Sequence, residues 1–485
     1  MLLDAPEHAP LSLCIGTITS NPAMLAPLLR GLQLLATDPA IAHLVVVVLD
    51  NASPSIALRQ VVGTTSAPGL AVTVISMAQQ RLDAARGAFG RALRERPDRQ
   101  VGIAATRTML QRYLGVLLES EPNSVGWLLD DDMRVDDRAR WYLPWLPAFR
   151  DKGTDVLIGT CDGASPNPPL HGVQGQLYDL LHNLMWLQSL PNAAGLPDRS
   201  AENTVLREKF PDYYYDLSRK HTAHLEAPFW IEPLDEKETV ADAYARLING
   251  APGLLRGAPF TRPLVTTLPV NPLVTARDCV NRGGNTFILD HRALTQTPNL
   301  IPQIQGHEAR RSDMMWAIVN RYYRRMTIKT VAFPVLHVGC GGDTPNLDVT
   351  KIQGEIVGSA LYAALTEFLA DKPRHALNFC VSEAEAIWRR VVHHRDQRLG
   401  ALWQSFARIA TLREALRRVV KTDELDELFR GLAAWLAPSV FEQIRVGVGA
   451  HERRDIQRFI ISLRRVADDY ARALHDRNFI ERIEA

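Results

Sequence analysis

Val125-Gly126-Trp127-Leu128-Leu129-Asp130-Asp131-Asp132 is the stretch on which the fold turns. The unbroken apolar run predicts a short buried strand. The three acids that follow predict a loop at a sheet edge, because adjacent carboxylates repel unless a cation or hydrogen-bond donors compensate. Taken alone, such a run also suits an acidic turn or a helix N-terminus, where Asp is common. The segments on either side of it decide between these readings.

Upstream, strands alternate with helices. Leu11 to Ile18 is a short apolar run, and Pro22 to Leu35 carries Met24, Leu25, Leu28, Leu29 and Leu32 at helical spacing. Leu44 to Leu49 (Leu-Val-Val-Val-Val-Leu) reads as a strand covered on both faces, since parallel strands so covered need no alternation. It ends in Asp50-Asn51-Ala52-Ser53-Pro54, which is turn chemistry. Leu70 to Met77 is a third strand, Ala104 to Leu118 a helix, and Val125 to Leu129 a fourth strand. This order predicts an α/β fold with a parallel sheet and helices on both faces. Ligands of such sheets bind beyond the carboxyl ends of the strands, where Thr17, Asp50 and Asp130 to Asp132 all fall.

Downstream, the pattern loosens between 167 and 272, with many prolines and clusters such as Tyr213-Tyr214-Tyr215 and Phe229-Trp230. A stretch this irregular inside a compact domain predicts an insertion or lid that shapes a substrate site. Gly283-Gly284-Asn285-Thr286-Phe287-Ile288-Leu289 restores strand character behind flexible glycines. A helix is expected from Asp313 to Arg325 and a strand from Thr327 to Val338. From Val349 onward the spacing is helical, with Leu, Ile, Trp and Phe on one face and charges on the other. The expected organisation is a nucleotide-binding half at 1–132 within a domain at 1–345, then a helical domain at 346–485.

With 485 residues, 46% of them hydrophobic, the chain can bury a large core. Lys+Arg 55 against Asp+Glu 54 gives a net charge of +1, so nothing global points to nucleic acid or an anionic membrane. Cys14, Cys161, Cys279, Cys340 and Cys380 are scattered and form no Cys-x-x-Cys pair, which argues against a disulfide framework or zinc ribbon. The N-terminal stretch from Met1 to Pro6 shows no basic segment before an apolar run, and no run is long enough to span a bilayer. A cytoplasmic protein without a transmembrane segment is expected.

Taken in order, these motifs resemble those of the family 2 glycosyltransferases with the GT-A fold, over about the first 340 residues. Leu11-Ser12-Leu13-Cys14-Ile15-Gly16-Thr17 resembles the family's opening strand, and Val48-Leu49-Asp50-Asn51-Ala52-Ser53 its nucleoside-contacting strand end. Ile103-Ala104-Ala105-Thr106-Arg107 resembles a helix start that more usually reads Ala-Arg-Asn. Leu129-Asp130-Asp131-Asp132 resembles the Asp-x-Asp signature. Glu308 to Trp316 sits where the family carries its Glu-Asp acceptor motif, and His337 where some members place a metal-binding histidine. The chain departs from the pattern in Arg310-Arg311-Ser312-Asp313, where Ser312 replaces the usual Glu. The resemblance does not extend to the helical tail.

The resemblance implies a GT-A mixed sheet flanked by helices, and transfer of a sugar from a nucleotide diphosphate, a UDP-sugar first among donors, to a glycan or other hydroxyl-bearing acceptor. A Mn²⁺ or Mg²⁺ ion bridging the phosphates suits oxygen and imidazole ligands. Asp132 and His337 would hold it, with Asp130 facing the ribose and Asp131 orienting the turn. Thr17, Asp50, Asn51 and Arg107 would contact the donor. Asp313 would be the base that takes the acceptor proton, and one displacement by one base predicts inversion. Arg310 and Arg311 are candidate phosphate contacts, Trp127, Trp230 and Trp316 candidate sugar platforms, and Gly339, Gly341 and Gly342 a candidate closing loop. The helical tail is a candidate surface for homo-oligomerisation or acceptor docking.

Other readings remain open in the sequence. A sugar-phosphate nucleotidyltransferase should carry a glycine-rich basic loop after its first strand, which Gly16-Thr17-Ile18-Thr19-Ser20-Asn21-Pro22 lacks. A catalytically degenerate scaffold or binding protein would explain Ser312. Nucleic-acid binding by the tail is opposed by the Glu and Asp interleaved with its arginines.

Overall fold

A computed structural model describes residues 2–51, 55–65, 67–90, 93, 102–121, 123–164, 170–210, 226–258, 261–280, 283–300, 303–304, 307–339, 347–449 and 453–473. The turn residues Ala52-Ser53-Pro54, the Tyr213-Tyr214-Tyr215 cluster, Cys340, and the glycines Gly341 and Gly342 lie outside them.

The strands are β1 (Leu11–Thr19), β2 (Ile41–Asp50), β3 (Leu70–Ile75), β4 (Ser124–Leu129), β5 (Met133–Arg134), β6 (Val156–Gly163), β7 (Arg277–Asp278), β8 (Asn285–Ile288), β9 (Gln303–Ile304), β10 (His307–Glu308) and β11 (Ile328–His337). Nine of them make one sheet in the order β3-β2-β1-β4-β8-β6-β11-β5, with β7 on β11, and β9 and β10 pair separately. β3, β2, β1 and β4 are parallel, as their apolar runs predict. β8 runs antiparallel to β4 and to β6, which makes the sheet mixed. The expected mixed sheet flanked by helices, followed by a helical C-terminal region, is what the chain adopts.

The longer helices are α1 (Pro22–Gln33), α2 (Ser55–Thr64), α3 (Met77–Ala85), α4 (Ile103–Ser120), α5 (Leu170–Gln188), α6 (Ser200–Lys209), α7 (Val240–Gly250), α8 (Ser312–Ile318), α9 (Val349–Ala370), α10 (Val381–Val419), α11 (Asp426–Trp435), α12 (Pro438–Gly449) and α13 (Arg453–Arg472). Strand alternation sorts the core into two sides. Leu11, Leu13 and Ile15 of β1 meet Leu25, Leu28, Leu29 and Leu32 of α1 on one face. Cys14 joins Met109, Leu110, Tyr113 and Leu114 of α4 on the other. A side chain at Gly16 would run into Leu114, so α4 lies directly on β1 there. Asn21 caps α1, its side chain accepting from the Ala23 amide at 3.1 Å, with Pro22 at the first helical position.

One finding differs from expectation. The 167–272 segment, expected to be irregular, contains α5, α6 and α7. Leu177, Leu180, Leu184 and Leu247 of the middle helices, Met315 and Ile318 of α8, and Ile356, Leu361, Leu365, Ile387, Leu428 and Ile460 of the C-terminal helices belong to one apolar cluster. Among the described residues no helix is long and apolar enough to cross a membrane.

Candidate active site

The three acids after β4 diverge, and each meets a different partner. β4 ends at Leu129 and the acids lie in the turn beyond it, where the Met133 amide donates to the Asp130 carbonyl at 3.1 Å. The Thr19 hydroxyl donates to Asp131 Oδ2 at 2.7 Å, and Arg134 Nη1 donates to the Asp131 carbonyl at 2.9 Å. Burial pushes the Asp131 carboxyl up to about 6; the Thr19 bond opposes this, while the charges of Asp132 and Asp130 add to it.

Asp130 turns toward α4, where Arg107 Nη2 lies 3.4 Å from its Oδ1. The Asp130 amide donates to the Gly284 carbonyl at 3.3 Å. A Cβ at Gly284 would strike Asp130 Oδ2 and Met133 Cε, so the glycine before β8 serves close approach rather than flexibility.

Asp132 is buried against His337, with Oδ2 3.1 Å from Nε2. The backbone fixes this pair: β11 runs antiparallel to β5 with His337 opposite Met133, and the Val338 amide donates to the Asp132 carbonyl at 3.1 Å. His337 Nδ1 lies 2.8 Å from the Ala164 carbonyl, which can only accept, so Nδ1 carries a proton and Nε2 faces the carboxylate. Burial alone would lower the pKa of His337, but the hydrogen bond and charge of Asp132 raise it above the ordinary value. The same tautomer leaves Nε2 as the atom a metal would take.

The ends of β1 and β2 close the crevice on one side. Thr19 stands opposite Asp50, the Asn51 amide donates to the Thr19 carbonyl at 2.8 Å, and Gln80 Nε2 donates to the Asp50 carbonyl at 2.7 Å. The Asp50 side chain is buried, as is Thr17, whose hydroxyl has no hydrogen-bond partner among the described residues.

Asp313 stands in the first turn of α8. Burial works against the charge of Arg107, yet the carboxylates of Asp130, Asp313 and Asp132 together hold its pKa above the usual arginine value. The four groups thus share one electrostatic neighbourhood. The ends of β1, β2 and β4, Arg107 and His337 are brought together, and Asp313 lies near enough for its charge to act on Arg107. No group of three His, Cys, Asp or Glu side chains able to hold a metal is found among the described residues, so Asp132 and His337 stand as a pair.

Several candidates lie elsewhere. Trp316 is 0% exposed, and its indole N–H donates to the Ala293 carbonyl at 3.2 Å; it is core and cannot stack on a sugar. Trp127, also 0% exposed, stacks on Phe287. Trp230 belongs to another cluster, with the Arg199 guanidinium 3.5 Å over its ring and Trp186 beside it. Arg310 and Arg311 both turn to Glu355 of α9 rather than into the crevice. Gly339 adopts a left-handed φ of 75° just beyond β11.

Sequence reasoning missed Thr19, the Ala164 carbonyl and Arg134. Thr19 shares a β1 face with Thr17, so two-residue alternation could have found it. A backbone carbonyl leaves no such signal.

No family model and no curated protein matches the chain. Among solved structures it is similar to the mannosyltransferase PcManGT from Pyrobaculum calidifontis, in complex with GDP-Man and Mn²⁺, at 11% identity, covering 98% of this chain and 90% of that one, with a TM-score of 0.35. It is also similar to glucosyl-3-phosphoglycerate synthase from Mycobacterium tuberculosis in complex with phosphoglyceric acid, at 12% identity over 74% of this chain and 79% of that one, TM-score 0.31. A third likeness is to S. aureus TarS 1-349, at 12% identity over 88% and 91% of the two chains, TM-score 0.24.

Proposed function

We propose that the protein transfers a sugar from a nucleotide diphosphate donor to an acceptor hydroxyl, with the help of Mn²⁺ or Mg²⁺ and with inversion at the anomeric carbon. The observation that carries the reading is the 3.1 Å approach of Asp132 to His337, brought from distant parts of the chain to the strand-end crevice that also holds Asp130 and Arg107. A carboxylate and an imidazole side by side could hold a divalent ion such as Mn²⁺ or Mg²⁺. When bound, such an ion supplies Lewis-acid stabilisation of the departing diphosphate.

The protein groups divide the remaining work. Asp132 and His337 Nε2 would hold the ion, and the Nδ1–H bond to the Ala164 carbonyl fixes the ring. Arg107 sets a fixed positive charge among the acids, and Asp130 and the buried Asp50 offer acceptors for the ribose and base. Thr19 holds the Asp131 turn in place. Asp313, whose charge acts on Arg107 together with that of Asp130, takes the proton of the attacking hydroxyl.

The test is a donor panel with Mn²⁺, scored by release of free nucleotide diphosphate from wild type, Asp132→Ala and Asp313→Asn. The expected result is at least about a hundredfold loss for each variant, with nucleotide binding retained in Asp313→Asn. Activity surviving Asp132→Ala removes the metal assignment, and full transfer by Asp313→Asn removes the base. Donor binding by wild type without transfer would favour a binding protein instead.

A further inference from the structure

The turn that leads into Asp313 is built onto the C-terminal helices. The Arg310 amide donates to the Gly354 carbonyl of α9 at 3.0 Å, and a Cβ at Gly358, one helical turn on, would collide with the Arg310 carbonyl. A Cβ at Gly354 would stand 3.4 Å from the Glu308 carbonyl oxygen. Gly354 and Gly358 share one helix face, so together they form a notch that admits backbone.

Glu355, beside that notch, is 5% exposed. Its carboxylate accepts Arg311 Nε at 2.7 Å and pairs with Arg311 Nη2, lies 3.4 Å from Arg310 Nε, and accepts the Ser359 hydroxyl at 2.8 Å. Arg311 itself has φ 74°, a left-handed conformation that disfavours a side chain and persists only where the surroundings enforce it. Ser312 and Asp313 follow immediately. On the opposite side Glu308 abuts the start of α4, the helix that carries Arg107: a Cβ at Gly102 would strike its carboxylate, and the Ala104 amide lies 3.5 Å from Oε2.

We propose that the C-terminal helices act in the reaction as a positioning element: the Gly354/Gly358 notch and the Glu355 carboxylate hold the Arg310-Arg311 turn so that Asp313 faces the Arg107 crevice. Glu355 is a positioning residue, not a catalytic one, and its role rests on the reading of Asp313 as the base. Ser312 in place of the family's usual Glu fits this arrangement, because the turn is ordered from the tail through two arginines.

The experiment compares full-length wild type, Glu355→Gln and Gly358→Ala by amide hydrogen exchange and by steady-state transfer with the donor the panel selects. Glu355→Gln keeps the shape and the Ser359 bond but loses the charge. The expected result is exchange about tenfold faster at residues 310–316 and unchanged in β1 and β4. Transfer kcat should fall roughly 10- to 100-fold at unchanged donor KM, the scale of a small misplacement of a reacting group. If Gly358→Ala does not fold, Glu355→Gln alone decides. Unchanged exchange, or faster exchange with kcat unmoved, overturns the proposal while an Asp313-dependent wild-type activity leaves the transferase reading standing. A wild type that moves no sugar overturns both.

Discussion

Asn285→Leu should weaken the sheet by an amount that can be worked out from its contacts. The pairing of β6 with β11 is interrupted between Thr330 and Pro334, and proline has no amide to donate there. Asn285, from the neighbouring β8, bridges the gap: Nδ2 donates to the Thr160 carbonyl at 2.9 Å and the Phe333 carbonyl at 2.8 Å, while Oδ1 accepts the Trp127 indole N–H at 2.8 Å. A Cβ at Gly159 would strike the same amide, so the sequence leaves room for it. Leucine has a similar volume and breaks all three bonds, leaving a buried indole N–H and two carbonyls less well satisfied. At about 1–2 kcal/mol apiece the total loss is about 3–6 kcal/mol. An unfolding entropy of about 2.1 cal/mol/K per residue amounts to about 1 kcal/mol/K over 485 residues, so the melting temperature should fall by about 3–6 °C. Asn285→Asp should fall further at neutral pH, because a buried carboxylate would face two carbonyl oxygens. Circular dichroism melts of the three proteins read this directly. A Leu variant melting within about 1 °C of wild type, or an Asp variant more stable than the Leu variant, would refute the bridge.

Gly284→Ala places a methyl against Asp130 Oδ2 and Met133 Cε, both ends of side chains that can swing away. Stability should drop by no more than about 1–3 kcal/mol, while affinity for the nucleotide diphosphate with Mn²⁺ falls about tenfold by calorimetry; unchanged affinity would detach Asp130 from the donor. Trp316→Phe should cost about 1–2 kcal/mol through the lost bond to Ala293 and leave the acceptor KM untouched, whereas a raised KM at full stability would return Trp316 to the site. Burial, helped by the charges of Asp130, Asp132 and Asp162, pushes the Cys161 thiol up to about 12, so only about one molecule in ten thousand is thiolate at pH 8. Mass spectrometry after iodoacetamide treatment should find exposed Cys380 modified well before Cys161, and equal rates would contradict the burial argument.

The half of the chain most legible in the sequence is the half whose burial is simplest. β1, β2 and β4 are covered on both faces, so they read as unbroken apolar runs, and the acids after β4 had to lie in a turn. The middle helices escaped because they bury polar groups. Asp179 and Asn183 of α5 are fully buried: Asp179 takes the Phe229 amide and the Arg262 guanidinium, and Asn183 takes the Ile231 amide. An apolar periodicity cannot register a helix face made in part of Asp and Asn. Arg310 and Arg311 looked available for phosphate because their partner, Glu355, lies more than forty residues further on, and Trp316 looked like a platform because nothing local marks it as core. His337 was found only through its place in an ordered set of motifs; its orienting partner, a main-chain oxygen, has no letter in the sequence.

The separation of Asp132 from His337 by 205 positions also constrains how the molecule is made. β11 inserts between β6 and β5, so these two strands wait for a partner synthesised long after them. At about 5–20 residues per second, a ribosome needs roughly 10–40 s to cover that interval. For that time the nascent chain carries Asp132 without its histidine, and for most of it an unpaired edge on β6. Chaperone contact during translation should therefore concentrate on the growing chain before β11 emerges, and a ribosome arrested short of residue 337 should hold a sheet that cannot yet close.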